Sequence, residues 1–171
     1  MIGPDEVKGE AERLAEQNYK FRTFLRNRED EGKLDALFLR FHKEVFAEYD
    51  CCKCANCCKE CVITLDTGEI ERMAAFLGMT KDCVIAEYLT KADPNDEKPY
   101  MIKKRPCPFL RTDGKCRVHD CKPDICAGFP YTDRPGRLRR LLGIIDNTGT
   151  CPAVFEIIER LKAEYGFRNR E

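Results

Sequence analysis

Cys51-Cys52-Lys53-Cys54-Ala55-Asn56-Cys57-Cys58-Lys59-Glu60-Cys61 sets six cysteines within eleven residues, between an amphipathic helical pattern and an apolar, strand-like run. Thiolates packed this closely on a short segment repel one another and cannot all pair as disulfides without strain. They call for a cation or a cluster that gathers them. Six more cysteines follow at 83, 107, 116, 121, 126 and 151, most of them in segments punctuated by Pro and Gly. The expected fold is α+β and mostly helical, with helices and a few short strands around a cysteine-rich, metal-binding loop core.

Upstream of the cluster, Val7, Ala11, Leu14, Phe21 and Leu25 recur at helical steps, interrupted where Asn18 stands in place of an apolar residue. One helix is expected over residues 5–27. Asn27 to Gly32 breaks the pattern, and Leu34, Leu37, Phe38, Phe41, Val45, Phe46 and Tyr49 define a second helix that ends at Cys51. His42 lies on it between two apolar turns and reads as a rim residue, not a ligand. Residues 1–50 are thus an N-terminal helical hairpin, 51–153 a cysteine-cluster domain, and 154–171 a C-terminal helix.

Downstream, Val62-Ile63-Thr64-Leu65 reads as a short strand. Asp66-Thr67 caps a helix that stops at Gly78, and Thr80 opens another through Leu89. Cys83 on that helix has no cysteine neighbour and reads as a buried thiol. Tyr100-Met101-Ile102 is a candidate strand. From Cys107 to Pro130 the chain is turn-rich, with Arg111-Thr112-Asp113-Gly114-Lys115 as a tight turn and Pro123 opening a single helical turn that returns Cys126 toward Cys116. Arg134, Arg137, Arg139 and Arg140 precede Leu141-Leu142-Gly143-Ile144-Ile145, which reads as an edge strand guarded by charge. Cys151-Pro152 begins the last helix, with Gly166 as its stop.

Composition narrows the chemistry. Lysine plus arginine number 30 and aspartate plus glutamate number 30, so no global positive field is present to hold nucleic acid or an anionic membrane surface. No apolar run approaches the roughly 20 residues needed to cross a bilayer, and residues 1–6 lack a secretory pattern, so a cytoplasmic location is expected. In a reducing cytosol, twelve cysteines favour metal ligation or redox chemistry over a disulfide frame. A protein partner is expected and a membrane or nucleic-acid partner is not.

Cys51-x2-Cys54-x2-Cys57, with Cys61 after three more residues, matches the cysteine spacing of the bacterial ferredoxin run, except that Val62 replaces its proline. Three thiolates so spaced can reach three irons of a cubane from one loop. Zinc would be satisfied by any four thiolates near tetrahedral geometry, such as a pair from this segment with a pair from Cys107, Cys116, Cys126 or Cys151. Sulfur-rich ligation nearly without histidine suits both, and argues against magnesium, calcium or a non-haem iron facial triad.

Taken in order, Cys51-x2-Cys54-x2-Cys57-Cys58, Ile63-Thr64-Leu65, Glu69 to Gly78, Cys107-Pro108-Phe109-Leu110, Cys116, Lys122-Pro123 and Cys126-x2-Phe129-Pro130 resemble the CxxCxxCC family, also called YkgJ-like cysteine cluster proteins, which are zinc- or iron-chelating domains. The resemblance covers roughly residues 51 to 153. It implies Cys51, Cys54, Cys57, Cys58, Cys107, Cys116 and Cys126 as metal ligands, with Cys151 added because Cys-Pro commonly closes such a domain. Lys122 stands where relatives usually carry arginine, and Cys52, Cys61, Cys83 and Cys121 are additional thiols. Cys61 and Cys121 extend the cofactor-binding candidates.

Three functions are consistent with these residues. One is an iron-sulfur protein, with a 4Fe-4S cluster favoured, acting in electron transfer, cofactor maturation or as an accessory subunit of a redox complex. Another is a zinc-binding structural or interaction module. A third is a small metalloenzyme such as a group-transfer enzyme, since flagellin lysine methylase carries a similar cysteine cluster; Cys52 or Cys121 would then be a reactive thiolate, or His119 a base. No Gly-rich strand-turn-helix for a methyl donor accompanies it. Six thiolates on one segment exceed what a single tetrahedral zinc accepts, which favours the first.

Overall fold

Val7 and Ala11 lie on one helix, α1 (Val7–Arg13), and Phe21 and Leu25 on the next, α2 (Ala15–Arg28), in a computed structural model that describes residues 1–168. The single helix expected over 5–27 is therefore broken. Leu14 leaves the helical region at φ −98° and ψ 5° because the two halves bury different faces. Val7 and Ala11 pack with Phe155, whereas Phe21 joins Phe24, Tyr165 and Phe167 in an aromatic group with ring centroids 4.9–6.1 Å from Phe21. Asn18 is buried on the second half, in the slot where the apolar stripe lapses. After Asp30, whose side chain accepts from the Lys33 amide at 3.0 Å, α3 (Glu31–Glu48) buries Leu34, Phe38, Phe41 and Val45.

The chain divides into two compact units, one formed by Met1–Asp50 with Pro130–Glu171 and the other by Cys51–Phe129. The second begins with two short helical turns, α4 (Cys51–Cys54) and α5 (Asn56–Glu60), and continues into β1 (Thr64–Leu65). Helix α6 (Thr67–Leu77) starts at a full capping box. Asp66 Oδ1 accepts from the Glu69 amide at 2.9 Å and Glu69 Oε2 accepts from the Asp66 amide at 2.8 Å. Next come α7 (Lys81–Tyr88), β2 (Leu89–Lys91) and β3 (Tyr100–Ile102). The strands form an antiparallel sheet in the order β1-β3-β2, with Leu65 opposite Tyr100 and Leu89 opposite Ile102. Ile63, Leu65, Ile70, Met73, Ala74, Val84, Leu89, Phe109 and Val118 make the core of this unit. A 3-10 turn (His119–Cys121) and α8 (Asp124–Gly128) complete it.

At Pro130 the chain returns to the first unit, where α9 (Arg137–Asp146) replaces the edge strand expected at Leu141–Ile145. The reason is visible in which residues are buried. Arg137, Leu141, Ile144 and Ile145 point inward at helical spacing, so the inward face begins at an arginine, which a hydrophobic pattern scores as outward. Arg137 is only 2% exposed; its Nε donates to Thr132 O at 2.8 Å and its Nη1 lies 3.1 Å from Asp35 Oδ1. The Asp35 carboxylate also accepts from the amides of Gly136 (2.8 Å) and Arg137 (3.1 Å). A side chain of α3 thus caps α9, since Gly136 has none to offer. His42 is not a ligand in this unit: its Nδ1 lies 2.8 Å from Thr132 Oγ1.

The last helix, α10 (Pro152–Glu164), has Pro152 in its first turn and buries Val154, Ile157, Ile158 and Leu161, packing against α3. Residues 169–171 of the C-terminal helix expected from the sequence lie outside the described residues. None of the twelve cysteines is joined in a disulfide, and among the described residues no helix is long and apolar enough to cross a membrane.

Candidate metal centre

The first cysteine segment is not an open loop. Cys51 to Cys54 close one helical turn, the Ala55 amide bonding Cys51 O at 2.8 Å; Ala55 then swings to φ 49°, and a second turn carries Cys57 and Cys58, closed by the Cys61 amide on Cys57 O at 2.9 Å. The left-handed residue interrupts what would otherwise be one short helix, and it does so without a glycine, at a cost of about 1–2 kcal/mol that the surrounding contacts must offset. Cys51 and Cys52 are exposed, and Cys54, Cys57, Cys58 and Cys61 are half-buried.

The second region is a hairpin. Arg117 N donates to Phe109 O at 2.7 Å, Arg111 N to Lys115 O at 2.9 Å, and Leu110 bridges Cys116, so Cys107 stands at its entrance and Cys116 on its returning arm. Two main-chain junctions tie this hairpin to the first segment. The Cys107 amide donates to Cys58 O at 2.8 Å. At the hairpin tip Gly114, at φ +78°, lies so close to Cys52 that a Cβ there would come within 1.8 Å of the Cys52 carbonyl oxygen. Only glycine can occupy that tip. Cys126 is brought in by α8, where its amide bonds Pro123 O at 2.9 Å.

Cys61, Cys107, Cys116, Cys121 and Cys126 all pack against the apolar core of this unit. Their thiols sense one another. Burial pushes the Cys126 thiol up to about 12, reinforced by repulsion from Cys107, Cys58, Cys116 and Cys61. Burial likewise raises Cys107 and Cys116, with Cys58 adding to both, and raises Cys61, again with Cys58 adding. Cys121 is raised by burial and by Cys116. Cys58 is the exception: a hydrogen bond from Cys57, aided by the Lys122 ammonium, lowers it to about 7 against its own burial. Cys58 and Cys126 each interact with Cys61, Cys107 and Cys116, which links the five electrostatically, with Cys57 beside Cys58 and Cys121 near Cys116.

Among the described residues, no three His, Cys, Asp or Glu side chains stand as they are in an arrangement that could hold a metal ion. The thiols are gathered but not contracted to ligand distance. The donor set nevertheless fits a thiophilic ion: several half-buried sulfurs whose mutual repulsion a cation would remove, an apolar wall behind them and one lysine as counter-charge. Cys83 is exposed on α7; the expectation that it is a buried thiol is corrected by its outward position on a short helix. His119 is exposed on the 3-10 turn. Cys151 belongs to the other unit, buried at the N-cap of α10.

Three supporting residues lie outside the cysteine pattern. Gly114 was legible only as a turn residue. Glu69 is legible from Asp66-x-x-Glu69 as a capping partner, and Lys98, whose Nζ lies 2.6 Å from Glu69 Oε1, carries no signal.

The family model of CxxCxxCC proteins, described as "Putative zinc- or iron-chelating domain", matches residues 50–152. That is more than half of the chain, and the protein belongs to this family. No curated protein and no solved structure matches the chain.

Proposed function

We propose that this member of the CxxCxxCC family holds an iron-sulfur centre on thiols of its second unit, and serves electron transfer, cofactor maturation or a redox complex alongside a protein partner. The supporting observation is the convergence of Cys61, Cys107, Cys116 and Cys126 from two separate segments onto one apolar wall, with Cys58 interacting with all four. These thiols supply the four that a cubane takes, Cys57 and Cys121 stand next to them, and the spacing of Cys51, Cys54, Cys57 and Cys61 is that of the ferredoxin run. When bound, a cluster of this kind supplies a one-electron relay. The chain's own residues would ligate it, keep water from its apolar side and place the Lys122 charge near Cys58 and Cys116, the local features that set a cluster's potential.

Zinc is the second reading. It is favoured by the ease with which four of the five thiols satisfy one tetrahedral ion, and by a family description that names both metals. Anaerobic purification separates the two. Broad visible absorption with stoichiometric iron and acid-labile sulfide supports the cluster; a colourless protein carrying zinc overturns it.

A further inference from the structure

Glu69 is a fully enclosed carboxylate, with 0% of its side chain exposed, in a unit whose other acidic side chains face solvent or its edge. Its two oxygens do separate work. Oε2 accepts from the Asp66 amide at 2.8 Å and closes the cap of α6. Oε1 accepts from Lys98 Nζ at 2.6 Å and, at 2.9 Å, from the amide of Asp124, the first residue of α8. Capping α6 would need only the first of these. The second reaches across to the turn in which Pro123 O receives the amides of Cys126 and Ala127, both at 2.9 Å.

We infer that Glu69 is a positioning residue for the metal centre: its carboxylate fixes the turn that carries Cys126. This rests on the sulfur-ligated reading of the site. A second link between α6 and this turn, Arg72 Nη2 to Asp124 Oδ1 at 2.9 Å, has partners 51% and 73% exposed, and an ion pair so hydrated holds little. The enclosed carboxylate, receiving a charge-assisted bond and two backbone amides, is the stiffer link. Lys98 neutralises it, so that the carboxylate can stay ionised without exposure.

The test is cobalt(II) titration of the metal-free protein, with the sulfur-to-cobalt charge-transfer band reporting how many thiolates bind. Glu69→Gln removes one acceptor and the charge. Asp124→Pro removes the donated N–H together with the exposed carboxylate that meets Arg72, at a helix position and after an extended residue where proline is tolerated. Both are expected to lose about one thiolate's share of the band, as Cys126→Ser does, and to weaken cobalt binding about 10- to 100-fold, the usual effect of losing an outer-shell support. Asp124→Ala keeps the N–H and serves as the control for the lost carboxylate, and Asp66→Ala breaks the α6 cap and a 3.8 Å ion pair to Lys98 while leaving the Glu69 bond to the Asp124 amide, so both should titrate like the parent. A parental band and affinity in Glu69→Gln and Asp124→Pro, with helix content by circular dichroism unchanged, overturns the inference while leaving the metal reading intact. A parent protein that binds no cobalt overturns both.

Discussion

The Cys107 amide donates to the Cys58 carbonyl across 2.8 Å, so the two cysteine segments meet through main chain before sulfur is involved. That bond and the apolar core on which Cys107 packs are contributions to the site's frame that come from the chain itself.

Metal removal should therefore leave a folded protein. Chelation is expected to preserve far-ultraviolet helix content while lowering the melting temperature. For a ligand at a thousand times its dissociation constant, the lost stabilisation is about 4 kcal/mol. Collapse of the helical signal on chelation, as in a small zinc finger, would show that the frame needs its ion.

Gly114 and Gly78 make a matched pair. Both have positive φ, +78° and +66°, but a Cβ at 78 meets nothing within 4 Å, while one at 114 overlaps the Cys52 carbonyl. Gly78→Ala should cost about 1 kcal/mol and leave metal stoichiometry alone. Gly114→Ala adds a displacement of the first cysteine segment. It should cost about 2–4 kcal/mol in chemical denaturation and reduce bound metal. Equal behaviour of the two would mean that the hairpin tip does not shape the centre.

Single cysteine substitutions should sort by position. Cys107→Ser and Cys126→Ser, among the interacting thiols on the apolar core, are expected to reduce bound metal by at least half in elemental analysis of purified protein. Cys83→Ser, on an exposed turn of α7, should retain all of it. Loss of metal in Cys83→Ser would relocate the site.

The Asp35–Arg137 pair predicts an acid limb to stability in the first unit. Burial pushes the Asp35 carboxyl up, but the amides of Gly136 and Arg137 and the guanidinium outweigh it, leaving its folded pKa depressed. Its contribution is complete above the unfolded value, about 3.9, and is lost as pH falls through the lower folded value. Asp35→Asn leaves Arg137 enclosed without a counter-charge, and should cost about 3 kcal/mol at pH 7, the lower end for a broken buried pair because Asp35 is 19% exposed. The variant's stability should change less than the parent's below about pH 4. Parallel pH profiles for the two proteins would remove Asp35 from that role.

Elements specified by neighbouring residues could be read directly from the chain. The stripe of α3, the cap at Asp66, the stop at Gly78 and the Cys151-Pro152 start of α10 are written within a few residues of where they act. Features set by distant partners could not. Arg137 begins the inward face of α9 only because Asp35 and Thr132 receive it, which concealed a helix as a strand. Strand β2 exists because Leu89, Thr90 and Lys91 pair with β3. Ferredoxin-like spacing treats 51–61 as a single loop, whereas Ala55 divides it into two turns. Which sulfurs face one another then depends on the hairpin, on α8 and on the buried glutamate behind it, none of which cysteine spacing encodes.

The unit from Cys51 to Phe129 lies inside the run of the other, which resumes only at Pro130. During synthesis at about 5–20 residues per second, the sulfur-bearing insert is therefore finished while its host still lacks α9 and α10, a gap of about 2–8 s. Nascent chains would present assembled thiols to the cell's metal-delivery machinery, and to its oxidants, before the partner of α3 has left the ribosome.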